Sequence, residues 1–69
     1  MKKNKEAWAK RGQTIKKTRE NKKLLQKDLA QILKVQVSTI SDYENGIKRM
    51  DFDTIKTLCK FLDIDIRTL

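Results

Sequence analysis

Residues 26–45, QKDLAQILKVQVSTISDYEN, decide how this chain folds. Apolar residues recur there at intervals of three and four, which is the spacing that places them on one side of a helix. The pattern is interrupted at Lys34 and Val35, so we predict two short helices, over about 26–33 and about 36–44, with a tight turn between them.

The second of these helices is expected to present a polar surface. Ile40 anchors it from beneath, and Val35 fills the turn before it. The side chains left at its exposed start and along its outer side are polar: they are Gln36, Ser38, Thr39 and Asp42. A short polar helix that is braced from behind fits a groove about 12 Å wide, which is the width of the DNA major groove.

The rest of the chain predicts further helices, because it has no proline, two glycines and apolar residues at helical spacing. We place these helices over about 5–21, 52–62 and 65–69. The first has a single inward face, which is formed by Trp8, Gly12, Ile15 and Arg19. Gly46 follows the helix at 36–44, where a left-handed residue is needed to end it. The expected fold is therefore all-α, with five helices.

Basic residues are concentrated at one end of the chain, which has 69 residues and a net charge of +8. Residues 1–23 hold ten Lys and Arg against two Asp and Glu, whereas residues 24–69 hold seven of each sign. This asymmetry indicates a polyanionic partner, either nucleic acid or an anionic membrane surface. A helix in residues 1–23 has only Trp8 and Ile15 on its apolar side, which is too little to anchor it in a membrane.

The composition argues against an enzyme. The chain has no histidine, one cysteine (Cys59) and no glycine-rich phosphate loop, so no metal, cofactor or small-molecule ligand is expected. A lone cysteine is typical of a reducing compartment, and no segment has the roughly 20 apolar residues of a membrane span. We therefore expect a soluble cytoplasmic protein whose cysteine is a small core residue.

An ordered set of residues extends this pattern over nearly the whole chain. Its members are Ile15, Arg19, Gln26, Leu29, Ala30, Leu33, Val35, Ile40, Ser41, Tyr43, Glu44, Asn45, Gly46, Ile55, Leu58, Leu62, Ile64 and Leu69. At this spacing the set resembles the lambda-repressor-like helix-turn-helix family, also called the Cro/repressor or XRE type. The resemblance implies a compact five-helix domain over 12–69, with the helix-turn-helix motif at about 26–45. A basic N-terminal extension over 1–11 would lead into helix one.

The resemblance also implies which residues meet DNA. Those that match base-contacting positions are Gln36, Val37, Ser38 and Asp42. Those expected at the sugar–phosphate backbone are Gln26, Lys27, Thr39, Ser41, Asn45, Lys48 and Arg49. Arg19 and Glu44 match a buried ion pair that ties helix one to the end of helix three.

These observations predict a sequence-specific, double-stranded-DNA-binding transcriptional regulator, a small Cro-like repressor that reads the major groove with helix 36–44. Such motifs usually act as two-fold dimers on palindromic operators. Ile64, Ile66 and Leu69 are either part of a homodimer surface or the closure of the monomer core. The alternative function is a protein-binding adaptor, such as an antitoxin or anti-repressor, in which a partner covers the outer face of helix three.

The chain departs from the family pattern at its turns and caps. Lys23, Lys34 and Asp63 stand where the family often has glycine. A left-handed backbone at a residue other than glycine costs roughly 1–2 kcal/mol, so we expect either this cost or turns that differ in detail from those of the family. Leu25 and Gln36 replace the usual Ser or Thr helix caps, each at a cost of about 1 kcal/mol. These departures predict a domain of marginal stability.

Overall fold

The computed structural model describes residues 5–69, and it builds them from four α-helices and one short 3-10 turn. The helices are α1 (Lys5–Asn21), α2 (Gln26–Leu33), α3 (Val37–Glu44) and α4 (Phe52–Leu62). No strand occurs among these residues. The predicted all-α fold and its helix-turn-helix are therefore confirmed, and the first four helices lie within one residue of their predicted bounds.

The predicted fifth helix is wrong in type. Ile66–Thr68 form a single 3-10 turn, in which Thr68 N–H donates to the carbonyl of Asp65 at 2.9 Å and Leu69 N–H donates to that of Ile66 at 3.2 Å. Such a short segment forms only hydrogen bonds between residues three positions apart, because an α-helix needs donor and acceptor four positions apart.

At the other end of the chain, α1 runs without a break across residues 5–21. Residues 5–11 of the predicted N-terminal extension are thus helical and continuous with the rest of α1. Residues 1–4 of that extension lie outside the described residues.

All four helices end in the same way, with one residue in the left-handed region. These residues are Lys23, Lys34, Gly46 and Asp63, with φ of 58°, 58°, 73° and 60°. In each case the next N–H reaches back five residues to a carbonyl, over 2.8–3.0 Å, as in a Schellman motif. The turns therefore keep the left-handed backbone of the family even at two lysines and an aspartate, and only one of the four sites has the glycine that favours this backbone.

The core lies where the four helices meet. Its most deeply buried apolar side chains, each at most 1% exposed, come from every helix: Ile15, Leu29, Ile40, Leu58 and Leu62. Cys59 is buried beside them, as expected for a small core residue, and desolvation raises the pKa of its thiol.

The two glycines of the chain both lie where α1 crosses the end of α3. A Cβ on Gly12 would come within 2.6 Å of the carbonyl oxygen of Glu44, and one on Gly46 would come within 2.7 Å of the Cα of Ala9. Backbone can approach backbone this closely only where no side chain intervenes. This contact fixes α3 against α1 from the inner side.

Candidate nucleic-acid interface

The two sides of α3 differ in exposure. Ile40, Tyr43 and Glu44 are buried against α1 and α2, and Ile40 is only 1% exposed. The predicted base-contacting residues lie on the remaining surface. Gln36, Val37 and Ser38 are exposed at the start of the helix, and Asp42 is half-buried one turn further on. The structure thus brings these four residues together on the outer side of α3.

The residues predicted to contact the DNA backbone fall into groups around this surface. Lys27 is exposed in the first turn of α2, and Lys48 and Arg49 are exposed in the loop after α3. Asn45, at the end of α3, donates from Nδ2 to Ser41 Oγ at 3.3 Å. Thr39, which is also predicted to contact the DNA backbone from α3, is half-buried.

Arg19 and Glu44 form a buried, two-pronged ion pair. Arg19 donates from Nε to Glu44 Oε2 at 2.7 Å and from Nη2 to Glu44 Oε1 at 3.2 Å. A third donor, Nη1, bonds the carbonyl of Leu24 at 2.9 Å. Glu44 is 1% exposed, and its two bonds from Arg19 tie the end of α1 to the end of α3.

Gln26 joins the same network, which the sequence did not indicate. Its amide Nε2 donates to Glu44 Oε1 at 3.0 Å. An amide nitrogen carries two hydrogens, so this bond leaves the second one for another acceptor. The first residue of α2 is thereby held at a fixed distance from the end of α3.

The helices of the motif begin without side-chain caps. Leu25 has no acceptor atom, and only the reverse half of a capping box is present, in which Leu25 N–H donates to Asp28 Oδ2 at 2.8 Å. Gln36 likewise makes no capping bond at the start of α3. In contrast, Asp51 accepts from Thr54 N–H at 2.8 Å at the start of α4, and this bond lowers the pKa of Asp51.

The apolar residues near the C-terminus of the sequence are only partly covered. Ile64 and Leu69 pack against the core while remaining half-exposed, and Ile66 is also half-buried. Two further apolar side chains, which sequence reasoning missed, are about two-thirds exposed: Ile47 in the loop after α3 and Phe52 at the start of α4. Their apolar character suggests burial, so only the packed structure shows that they face outward.

A concave surface lies elsewhere. It is an open groove of about 640 Å3 between α1 and the C-terminal 3-10 turn. Lys10, Arg11, Thr14 and Leu69 are among the residues that line it. It shares no residue with the outer side of α3.

Comparison with known proteins identifies the fold. The helix-turn-helix family model matches residues 15–69. The crystal structure of the restriction-modification controller protein C.AhdI from Aeromonas hydrophila superposes with a TM-score of 0.83 at 27% sequence identity, over 96% of each chain. No curated protein sequence matches significantly. Within residues 5–69, no helix has both the length and the apolar character needed to cross a membrane. The chain belongs to the XRE-type, Cro/repressor-like helix-turn-helix family of DNA-binding transcriptional regulators.

Proposed function

We propose that this protein is a cytoplasmic, Cro-like repressor that binds specific double-stranded DNA by inserting α3 into the major groove. One observation carries the proposal: the outer side of α3 is free, while its inner side is fixed by the Gly12 contact and the Arg19–Glu44 pair. A helix held in this way can present side chains to base edges without a loss of conformational entropy in its backbone.

Base recognition is assigned to the four residues on the outer side of α3. Val37, which is 44% exposed, can contact a thymine methyl group, and Ser38 can donate or accept a hydrogen bond. Asp42 can accept from a cytosine amino group. Gln36, at the tip of the helix, is the fourth. None of the four is Arg or Lys, so the strongest contact to guanine is missing and DNA shape is expected to add to specificity.

Contacts to phosphate are assigned to both flanks of α3. Gln26 and Lys27 lie at the start of α2, and Asn45, Lys48 and Arg49 lie in and before the loop that follows α3. Each neutralised phosphate releases counterions, so affinity is expected to fall with salt with a slope of about −0.9 for each contact.

We further propose that two copies bind a palindromic operator. One domain of this size reads only a half-site, and two-fold dimers of this motif read half-sites about 34–36 Å apart. The half-exposed Ile64, Ile66 and Leu69 are proposed as part of the surface between the copies. Bound in this way, the protein would repress by occupying DNA that other proteins need.

Selection of bound sequences from a random pool of duplexes tests these statements together. The expected result is one enriched palindrome, whose half-site preference changes in Val37→Ala and Ser38→Ala while binding to unrelated DNA is nearly unchanged. Thr57→Ala, at an exposed position of α4, is the matched control and should enrich the same palindrome as the unmodified chain. Absence of any preference among duplexes at low ionic strength would contradict the proposal.

The exposed Ile47 and Phe52 favour a second candidate, an adaptor that binds another protein. In that case the partner would cover the outer side of α3. Its complex would survive high salt, whereas a complex with DNA would dissociate.

A further inference from the structure

We propose that Lys22 and Lys23, in the turn between α1 and α2, bind the DNA backbone. Together with Gln26 and Lys27 they would form one phosphate-binding unit, named here the α1–α2 corner. The proposal rests on the proposed function and adds two contacts to it. Within the basic N-terminal third of the chain, these two lysines lie closest in sequence to the helix-turn-helix formed by α2 and α3.

Acidic side chains lie at helical spacing from two of the lysines of α1. Lys10 and Lys17 are exposed on its outer side, together with two acidic residues. Glu6 lies four positions before Lys10, and Glu20 lies three positions after Lys17, which are the spacings at which side chains on a helix become neighbours. Arg19 is occupied by its buried partner, Glu44.

The lysines of the corner are exposed to solvent. Within residues 5–69, Lys22, Lys23 and Lys27 form no salt bridge. The nearby carboxylates are engaged: Asp28 accepts from Leu25 N–H at 2.8 Å, and Glu20 lies 3.8 Å from Arg19. Three ammonium groups within six positions are thus available to an anion.

The backbone of the corner is rigid. Lys23 N–H donates to the carbonyl of Glu20 at 2.9 Å, and Leu24 N–H donates to that of Arg19 at 3.0 Å. The carbonyl of Leu24 accepts in turn from Arg19 Nη1. Arg19 also donates to Glu44, and Gln26 donates to the same carboxylate. A single hydrogen-bond network therefore positions the corner and the first residue of α2 relative to α3.

Lys23 occupies this position against its own backbone preference. Its φ is +58°, a region that glycine adopts without steric strain and lysine does not. This backbone ends α1 and fixes the point from which the exposed Lys23 side chain extends. Lys34 has the same φ at the other end of α2 and provides a matched comparison.

The position of the corner agrees with the docking of α3. In this motif the helix before the recognition helix crosses the DNA backbone while the recognition helix lies in the major groove. The start of α2 therefore faces phosphates, and Lys22 and Lys23 precede it by three and four positions. Their contacts would add affinity without sequence preference.

The test uses the full chain and a short duplex of arbitrary sequence, with the dissociation constant measured over a series of salt concentrations. Lys22→Gln and Lys23→Gly should each bind more weakly and reduce the salt slope by about 0.9 for each bound chain. The loss should be equal on operator and non-operator duplexes. Lys34→Gly removes the same charge and the same backbone strain, and it should keep the slope of the unmodified chain.

Thermal unfolding of the same variants separates binding from stability. Lys23→Gly should not lower the melting temperature, so a weaker interaction with DNA is not a folding defect. An unchanged slope in Lys23→Gly, or an equal loss in Lys34→Gly, would overturn the proposal while the unmodified chain still binds DNA. If the unmodified chain binds no duplex, the proposed function is wrong and this proposal falls with it.

Discussion

Gln26 donates a hydrogen bond to Glu44 over 3.0 Å, and this bond joins the first residue of α2 to the last residue of α3. Glu44 also accepts a hydrogen bond from Arg19 of α1, so this one buried carboxylate connects α1, α2 and α3. The residue proposed for a phosphate contact and the helix proposed for base contacts therefore share one anchor. A change at Glu44 is expected to affect both stability and the spacing between these two groups.

Replacement of Glu44 by alanine is expected to lower the free energy of unfolding by about 3–5 kcal/mol, because it leaves the buried Arg19 without a counterion. Urea unfolding followed by circular dichroism measures this loss. Glu20→Ala is the matched control: Glu20 is exposed and lies 3.8 Å from the same Arg19, so its removal should cost about 1 kcal/mol or less. Equal losses of unfolding free energy in the two variants would show that burial does not set the strength of the Arg19–Glu44 pair.

Lys34→Gly is expected to raise the melting temperature. The lysine is exposed and left-handed, and relief of this strain is worth about 1 kcal/mol, or roughly 4–8 °C for a domain of this size. Gln31→Gly is the control, since Gln31 is exposed within α2, where glycine costs about 1 kcal/mol. A lower melting temperature in Lys34→Gly would mean that its side chain makes a stabilising contact.

Leu25→Thr is expected to raise the melting temperature as well. Leu25 stands at the N-cap of α2, is 59% exposed and offers no acceptor, while Asp28 already supplies the reverse bond of a capping box. A threonine hydroxyl would complete the box, for a gain of about 0.5–2 kcal/mol. Leu25→Val, which has nearly the same shape as threonine without an acceptor, should show no such gain in calorimetry.

The sequence was sufficient for the helices and their ends, because both depend on short-range properties. Helical spacing of apolar residues decides where α1 to α4 lie, and a left-handed residue is required wherever a helix stops and the chain turns back. The left-handed backbone at Lys23, Lys34 and Asp63 meets that requirement, even though none of them is glycine.

The parts that could not be predicted depend on side chains from distant elements. The Gln26–Glu44 bond spans 18 positions and arises only when α2 and α3 are packed together. The outward direction of Ile47 and Phe52 has the same origin, since their apolar character suggests burial. The 3-10 type of the C-terminal turn could not be predicted either, because Ile66 and Leu69 have helical spacing over too few residues to distinguish it from an α-helix.

Acidification tests the cap of α4. The bond from Thr54 N–H lowers the pKa of Asp51 in the folded chain, so the folded state binds its proton less readily than the unfolded state does. The resulting stabilisation is present above the usual value of 3.8 and is lost as the pH falls through the lowered value. Asp51→Asn keeps an acceptor that does not titrate, so its melting temperature should decline less over this pH window. Identical declines would exclude Asp51 as a source of acid sensitivity.

Gly12→Ala tests whether the close contact between α1 and α3 sets the position of α3. In an open helix this change stabilises by about 1 kcal/mol, but here the added Cβ would lie 2.6 Å from the carbonyl oxygen of Glu44. The helices must separate, and overpacking of this kind costs typically about 1–3 kcal/mol. We therefore expect a lower melting temperature, together with weaker discrimination between operator and unrelated duplexes in a binding titration. Gln13→Ala, one position along on the exposed side of α1, should change neither quantity appreciably. A stabilised Gly12→Ala chain would show that α1 and α3 can part without strain, and the contact would then not be what holds α3 in place.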